Sequence, residues 1–374
     1  MKKIQRALLI GRKACGLVFR LTPSALLCAL FITGCAMIQP EEEMRAGRFE
    51  FGVTGDQQYT AEDENKFPNL IEDMNEAKLA FVVHVGDIEN DPRPYYRNPS
   101  ANKSVPCTDE TFYRRREEFQ KSRHPFILTP GDNDWTDCHE AKHGRNDPLE
   151  RLVKLREIFF QGNQSLGQRT IRLTRQSEEP KYAKFRENVR WTYGDVLFVT
   201  LHIVGSNNNF GRTPGADAEY RERNEANLAW MRQAFELAKR NGSKAIMIIT
   251  QANPGFQNTW PERRFRLYIW GSPVKPPEKK IKTGYDDFLN ALEVETLAFS
   301  RPAVLVHGDS HIFRIDKPLL SSKTGRMIEN FTRVETFGSP DVHWVRVIVD
   351  PNDQNVFTFK TAIVTKNLVN HLAQ

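Results

Sequence analysis

Several apolar runs of this sequence end abruptly in a polar cluster, and the clearest example lies at residues 126–138. This stretch reads F-I-L-T-P-G-D-N-D-W-T-D-C. Phe126–Leu128 suits a buried strand, which the following proline and glycine end. Asp132, Asn133 and Asp134 then present side-chain oxygens where no regular element needs them. Crowded carboxylates repel one another, and a bound divalent cation offsets that repulsion; a polar turn with local hydrogen bonds is the alternative.

The same pattern recurs at other predicted strands, which alternate with helical stretches such as residues 67–78. The apolar runs at 79–85, 244–250 and 302–306 contain few polar positions, which is typical of a sheet covered on both faces in an α/β protein. The carboxyl ends of such strands converge at one edge of the sheet. The side chains at these ends that are able to bind a metal are Asp56 with Gln58, Asp87, Asp132, Gln251, and Asp309 with His311.

The first 34 residues have the form of a secretory signal peptide. They carry six basic residues and no acidic one, and they end in the apolar run 25–32. This run is too short to span a bilayer, which takes about 20 residues. Residues 32–35 read I-T-G-C and resemble the bacterial lipobox, which predicts cleavage and lipidation of Cys35. An uncleaved anchor is the alternative; residues 35–47 are predicted to be a polar tether.

The charge balance argues against a nucleic-acid partner. The net charge of the full chain is +6, and the six basic residues of the predicted signal account for it. The mature chain is therefore close to neutral, so the basicity serves targeting rather than nucleic-acid binding. We expect the protein to be exported and lipid-anchored to a bacterial membrane, most simply the outer membrane, where it faces the periplasm.

Cysteine usage agrees with export. Of the five cysteines, Cys15 and Cys28 leave with the signal and Cys35 takes the lipid, which leaves Cys107 and Cys138. In an oxidising compartment these two are expected to form a disulfide, and two buried free thiols are the alternative.

Two long segments, at about 90–125 and 256–284, are predicted to be insertions. The second is rich in basic and aromatic residues, and both a functional lid and a solvated surface loop stay open for it. Four residues are predicted to bind substrate. Two lie in this segment and two in the polar cluster that follows a predicted hairpin at 189–204: Arg263, Arg264, Asn207 and Asn208.

In order and spacing, the strand ends resemble the calcineurin-like metallophosphoesterases. The pattern of that superfamily is D-x-H, G-D, G-N-H-D/E, a lone His after a strand, and G-H-x-H. The resemblance covers residues 48–361, and 131–139 is similar to a bacterial subgroup with G-D-N-[DE]-W-T-D-C-H. It implies that residues 48–374 form one domain, a four-layer α/β/β/α sandwich of two mixed sheets flanked by helices.

The resemblance also implies the roles of the residues at the strand ends. Asp56 and Gln58 would bind one metal, and Asp87 would bridge two. Asp132 and Gln251 would bind the second metal. The shell would be completed by Asp309 and His311. A metal-bound hydroxide would then attack phosphorus.

The departures from the family pattern change the expected metal. Gln58, Gln251 and Asp309 stand where the family has histidines, and Asp132 stands where it has asparagine. These replacements can all donate oxygen. An oxygen-rich shell favours Mn or Mg over Zn, with one or two ions bound.

The expected proton donor is also replaced, because Asn133 stands at the position of the catalytic histidine of the family. Such a donor is worth about 10² to 10⁴ in rate. His139 is the first substitute, with His343 and His202 behind it. A structural or surface role is the alternative for each of these histidines.

Two functions from different classes therefore stay open. The first is a metal-dependent hydrolase of phosphate esters, a phosphomonoesterase or phosphodiesterase that acts on a phosphorylated small molecule or lipid. The second is a catalytically silent module that binds a metal or ligand on the same scaffold. The retained oxygen donors favour the enzyme, whereas the lost histidine favours the silent module.

We predict that Cys35 carries the membrane anchor. In a Cys35→Ser variant the lipid attachment site is missing, so the protein should move from the membrane fraction to the soluble fraction. Fractionation of cells that express the parent or the variant measures this. A variant that stays on the membrane as firmly as the parent would show that the anchor lies elsewhere.

Overall fold

Two mixed β-sheets lie face to face and carry helices on their outer faces. The computed structural model describes residues 47–89, 106–256 and 282–369, which belong to one compact unit over residues 41–374. The strands are β1 (Phe49–Thr54), β2 (Val82–His84), β3 (Phe126–Leu128), β4 (Thr174–Arg175), β5 (Val189–Tyr193), β6 (Val196–Thr200), β7 (Ala245–Ile249), β8 (Ala303–His307), β9 (Arg314–Asp316), β10 (Phe331–Glu335), β11 (Trp344–Val349) and β12 (Phe357–Ala362). The longer helices are α1 (Ala61–Glu76), α2 (Asp109–Phe119), α3 (Pro148–Phe159), α4 (Pro214–Arg240) and α5 (Asp286–Phe299).

The first sheet has five strands in the order β12-β11-β1-β2-β3. Strands β1, β2 and β3 are parallel to one another, whereas β11 and β12 pair antiparallel. The second sheet has seven strands in the order β4-β5-β6-β7-β8-β10-β9. Its central strands β6, β7, β8 and β10 are parallel, and the outer pairs are antiparallel. Each sheet is therefore mixed, with its parallel strands next to one another.

The apolar core divides into three layers, which explains the near-continuous apolar runs of the strands. Between the sheets, Val53 and Val83 of the first sheet pack with Phe198 of the second. On the outer face of the first sheet, α1, α2 and α3 cover β2 and β3. On the outer face of the second sheet, α4 and α5 cover β6, β7 and β8. The predicted four-layer sandwich of two mixed sheets flanked by helices is confirmed.

Some helices and strands differ from the predicted ones, and others agree with them. Helix α1 begins at Ala61 rather than near residue 67, since Thr60 and Asp63 form a reciprocal capping box. Helix α2 lies inside the segment predicted as an insertion at 90–125, yet its Phe112 and Phe119 are part of the core. The hairpin predicted at 189–204 is present as β5 and β6.

Several predictions concern residues outside the described ranges. These are the signal peptide at 1–34, the lipidated Cys35, the tether at 35–47, the first part of the 90–125 insertion, and most of the 256–284 segment with Arg263 and Arg264. Within the described ranges, no helix combines the length and the apolar character needed to cross a membrane.

The predicted disulfide is present. Cys107 and Cys138 are bonded, with their Cα atoms 5.7 Å apart and a sequence separation of 31. Both residues are fully buried. The bond ties the segment before α2 to the short helical turn Thr136–His139, which directly follows the polar cluster at the end of β3.

We predict that a Cys107→Ser/Cys138→Ser double variant folds with a lower free energy of unfolding, by about 3 to 4 kcal/mol. The loss of the cross-link frees the unfolded chain over a loop of this length. Guanidinium unfolding of parent and variant measures the difference, and the reduced parent serves as the control. Equal free energies for the oxidised parent and the variant would contradict the prediction.

Candidate metal centre

The carboxyl ends of the parallel strands from both sheets meet at one edge of the sandwich. The backbone N–H of Asp309, after β8, donates to Asp56 Oδ1, after β1, at 2.8 Å. Gln251 Nε2, after β7, donates to Asp87 Oδ2, after β2, at 3.1 Å. The strand ends that the sequence singled out are therefore brought together by direct contacts between the two sheets, as expected for a site at this edge.

The backbone at these strand ends adopts a conformation that residues other than glycine seldom use. Five of the predicted metal ligands have a positive φ: Asp56 (53°), Gln58 (73°), Asp87 (56°), Asp309 (78°) and His311 (59°). Such strained residues cluster at functional sites, where the surrounding structure holds them. Each of these turns redirects the chain immediately after a strand.

Glycines allow the carboxylates to lie against the backbone. A Cβ atom on Gly308 would come within 1.6 Å of Asp56 Oδ2, and one on Gly131 within 1.9 Å of Asp87 Oδ1. No side chain larger than hydrogen fits at either position. Glycine at these two positions thus allows the carboxylates of Asp56 and Asp87 to approach the backbone closely.

Asp87 accepts hydrogen bonds on both carboxylate oxygens. Asn133 N–H donates to Oδ1 at 3.1 Å, while the Tyr59 hydroxyl and Gln251 Nε2 donate to Oδ2 at 2.7 and 3.1 Å. Asn133 Nδ2 in turn donates to the Tyr59 oxygen at 3.0 Å. Tyr59 was not predicted from the sequence, where only its position next to Gln58 could have pointed to it. A carboxylate has about four lone-pair directions, and three of them are used here.

Gln251, a predicted metal ligand, donates a hydrogen bond within the site. Its Oε1 accepts from the backbone N–H of Gly205 at 2.6 Å, which fixes the orientation of the amide. The NH₂ group therefore faces Asp87. This hydrogen bond uses one of the two lone pairs of Oε1, so metal binding through the other lone pair stays a prediction.

His311 is oriented as a ligand beside Asp56. Its Nδ1 lies 2.8 Å from the carbonyl oxygen of Ser339, which sets Nδ1 as the protonated nitrogen. Nε2 then carries a lone pair and lies 3.9 Å from Asp56 Oδ1. Hydrogen bonding of the distal nitrogen to a carbonyl is the usual support of a metal-bound histidine.

Three buried oxygens at this edge accept no hydrogen bond within the described parts of the chain: Asp56 Oδ2, Gln58 Oε1 and Asp132 Oδ1. The amide of Gln58 is oriented by its own Nε2, which donates to Glu118 at 2.8 Å. Asp309 is partly buried, and its Oδ2 accepts from Asn253 N–H at 2.8 Å. Buried polar atoms are rarely left without a partner, so these oxygens fit the donor set of a cation.

The electrostatics of the carboxylates point the same way. Burial raises the pKa values of Asp56, Asp87 and Asp132 well above the ordinary carboxyl range, and repulsion from neighbouring carboxylates, including Asp309, raises them further. A divalent cation would offset both effects. His311 Nε2 lies 3.9 Å from Asp56 Oδ1, so an ion bound there would meet a carboxylate and an imidazole.

Asp134 has a structural role, although the sequence placed it among the possible oxygen ligands. Its two oxygens accept from the backbone N–H groups of Gly131, Ile88 and Asp87 at 2.7, 2.8 and 3.2 Å. These bonds oppose the effect of burial, which raises its pKa to about 6. Asp134 therefore ties the loop after β3 to the loop after β2.

The two asparagines predicted to bind substrate shape the loop after β6. Ser206 and the three asparagines that follow all have positive φ values. Asn208 is fully buried; its Oδ1 accepts from Arg223, and its Nδ2 donates to Gly284 O at 3.0 Å. Substrate binding by Asn208 does not fit this burial. The amide of Asn207 bonds to Gly284 N and Phe210 O, which also gives it a structural role.

Within the described residues, the hydrogen bonds of the three histidines predicted as proton donors lead to partners other than the metal-centre carboxylates. His139 is exposed, and its Nδ1 lies 2.8 Å from Thr136 O and 3.3 Å from Arg212. His202 is fully buried against Glu187, and burial lowers its pKa to about 4. His343 Nδ1 accepts from Val364 N–H at 3.3 Å. Asn133 lies in the site, but it carries an amide and bonds to Tyr59.

Comparisons with known proteins give a limited result. No family profile matches the sequence, and no curated protein matches it. One solved structure that is similar to the chain is described as the structure of PhoD, with a TM-score of 0.49 and 14% sequence identity. The match covers 82% of this chain and 65% of the PhoD chain. The chain thus spans about two thirds of the length of that neighbour.

We predict that Asp132→Asn stabilises the metal-free protein at neutral and alkaline pH. Because the pKa of Asp132 is raised in the folded state, the folded protein holds this proton more tightly than the unfolded chain does. The stability of the parent therefore falls as the pH rises from the ordinary pKa of 3.8 through the raised pKa of the folded state. The gain should be about 1.4 kcal/mol for each pKa unit that is removed. Denaturant unfolding in chelator at several pH values measures this.

The matched control is Asp195→Asn, an exposed aspartate in the turn between β5 and β6, at the opposite end of the second sheet. It should leave the pH profile unchanged. A difference between parent and Asp132→Asn that is the same at pH 4 and pH 8 would contradict the electrostatic argument.

Proposed function

We propose that this protein is a metal-dependent hydrolase of phosphate esters. The observation that supports the proposal is the crowding of the buried carboxylates of Asp56, Asp87 and Asp132 at the strand ends, which is seen in their raised pKa values. Asp309 N–H and His311 Nε2, from the other sheet, lie 2.8 and 3.9 Å from Asp56 Oδ1. Within the described residues, Asp56 Oδ2 and Asp132 Oδ1 are buried and accept no hydrogen bond. A phosphate ester is an anion, so a cation is needed to bring it to such an acidic site.

The donors favour a hard cation. The side-chain atoms able to ligate are carboxylate and amide oxygens, with His311 Nε2 as the imidazole. Such a shell suits Mn or Mg better than Zn. Asp87 already accepts three protein hydrogen bonds, so its use as a bridge between two ions would displace a donor. We therefore propose one tightly bound ion near Asp56 and His311.

A bound cation would supply Lewis acidity toward the phosphoryl oxygens and would lower the pKa of water. The protein residues have separate tasks. One hydrogen-bonded chain runs through the site, from Asn133 to Tyr59 and from Tyr59 to Asp87, and it fixes the orientation of these side chains. Arg212 bonds to Asp137 and to Thr136 O, and its side chain is 26% exposed beside the loop after β3, where a phosphate could approach.

The substrate class and the location also belong to the proposal. We propose a phosphorylated small molecule or lipid as substrate, because the lipobox at residues 32–35 would hold the exported protein on a membrane that faces the periplasm. The near-neutral mature chain supports the absence of a nucleic-acid partner.

A catalytically silent binding module is the second candidate. Two features favour it. Asn133 occupies the position where the resemblance implies a catalytic histidine, and three protein donors already satisfy Asp87. A protein of this kind would bind the cation and a phosphate ester without hydrolysing the ester.

The test is chelator-sensitive hydrolysis of a panel of phosphomonoesters and phosphodiesters, restored by Mn. We predict that Asp87→Ala abolishes turnover, since it removes the acceptor that organises Tyr59, Asn133 and Gln251. Asp195→Ala, at the far end of β6, should keep full activity. Circular dichroism verifies that each variant is folded.

The outcomes separate the two candidates. Turnover by the parent and by Asp195→Ala, but not by folded Asp87→Ala, supports the hydrolase. If the Mn-loaded parent binds phosphate esters but shows no turnover above the Asp87→Ala background, the hydrolase proposal is wrong and the silent binding module is supported.

A further inference from the structure

A second group of metal-binding side chains lies beside the disulfide, outside the carboxylate cluster. Ligand atoms of Glu89, Cys107 and His143 all lie within 4.8 Å of one another, and all three residues are fully buried. Cys107 is bonded to Cys138. In this oxidised form, neither sulfur can act as a thiolate ligand.

Glu89 is the unusual member of this group. Both of its carboxylate oxygens are buried, and neither has a hydrogen-bond partner within the described ranges. Glu187, another fully buried glutamate, is by contrast paired with Arg156 and His202. A buried carboxylate without a partner costs several kcal/mol, roughly the desolvation penalty of one ion. Among the described residues, the Glu89 carboxylate therefore lies beside a sulfur and an imidazole without accepting a hydrogen bond.

The backbone around these residues is fixed in place. Cys107 N–H donates to His143 O at 3.2 Å, and Asn146 Nδ2 donates to both Cys107 O and His143 O at 3.1 and 3.2 Å. Asn146 N–H donates to Cys138 O at 2.9 Å. One asparagine thus holds three potential ligand residues in register, independently of the disulfide bond.

We propose that the reduced protein has a second metal site, which binds one zinc ion. Its ligands are a carboxylate, two thiolates and an imidazole, supplied by Glu89, Cys107, Cys138 and His143. A dithiol reductant would transfer two electrons and two protons to the disulfide, giving two thiols while the dithiol becomes a disulfide. Zinc binding then releases the two thiol protons to solvent.

The chemistry of the four ligands selects zinc over the hard cation of the carboxylate centre. Two sulfurs, one nitrogen and one oxygen form a tetrahedral set of the borderline-soft type. Zinc–sulfur bonds of about 2.3 Å require the two sulfurs to stand about 3.8 Å apart, after the disulfide is broken. The Cα atoms of the two cysteines, 5.7 Å apart, allow this with side-chain rotation alone.

The proposed site lies directly behind the carboxylate centre. Both sulfurs are 3.6 Å from the carbonyl oxygen of Asn133, whose N–H donates to Asp87 Oδ1. The proposal does not depend on the hydrolase activity, because its ligands and its readout are different.

The test uses cobalt as the probe for zinc. The purified protein is divided into an oxidised sample and a sample reduced with dithiothreitol and desalted without oxygen, and each is titrated with Co²⁺. We expect one equivalent to bind to the reduced protein with thiolate-to-cobalt charge transfer and tetrahedral ligand-field bands, and Zn²⁺ to displace it. The oxidised protein should show neither signal, since cobalt at the carboxylate centre contacts no sulfur.

Matched variants identify the ligands. Glu89→Gln should weaken cobalt binding by about tenfold or more and shift the ligand-field bands. Glu110→Gln, on the exposed face of α2, should behave like the parent. The proposal is overturned if the reduced protein gives no thiolate signal, if it unfolds by circular dichroism in excess Zn²⁺, or if Glu89→Gln binds cobalt as the parent does.

Discussion

The repulsion between buried carboxylates at the strand ends is the constraint on which the rest of this site depends. Asp56, Asp87 and Asp132 are nearly inaccessible to solvent; burial raises their pKa values, and repulsion from nearby carboxylates raises them further. The protein offsets part of this cost with backbone donors, namely Asp309 N–H on Asp56 and Asn133 N–H on Asp87. It leaves Asp56 Oδ2 and Asp132 Oδ1 without hydrogen bonds in the described structure. The remaining cost is what a divalent cation would relieve.

The sandwich makes this crowding possible, because no single sheet supplies all the groups. Strands β1, β2 and β3 deliver three carboxylates from one sheet, while β7 and β8 deliver Gln251, Asp309 and His311 from the other. The apolar layer between the sheets holds the two sets at a fixed separation. The residues with positive φ at these strand ends are held in place by the contacts between the two sheets.

The fold could be predicted well from the sequence, whereas the roles of individual residues could be predicted only in part. Apolar runs that end in G-D located β2 and β8 and the edge where the site lies, because an apolar run and the turn that ends it can be recognised from neighbouring residues. The orientation of Gln251 depends on Gly205 N–H, 46 positions away, and no local pattern reports such a contact. The role of Asp134 likewise depends on Ile88 N–H, in the loop after another strand. The start of α1 was predicted too late, near residue 67, although the local signal was present in the Thr60–Asp63 capping box.

Three amide side chains, of Gln58, Gln251 and Asn133, stand where the resemblance implies histidines, and their contacts in the structure differ from one another. Gln58 keeps a buried oxygen with no hydrogen bond in the described structure, so it still suits a cation. Gln251 and Asn133 instead donate N–H groups, to Asp87 and to the Tyr59 oxygen that bonds to Asp87. Three donors around one carboxylate supply part of the positive potential that a second ion would supply. The proposed single cation beside Asp56 and His311, together with the hydrogen bonds around Asp87, would therefore give each of these three amides a role in the site.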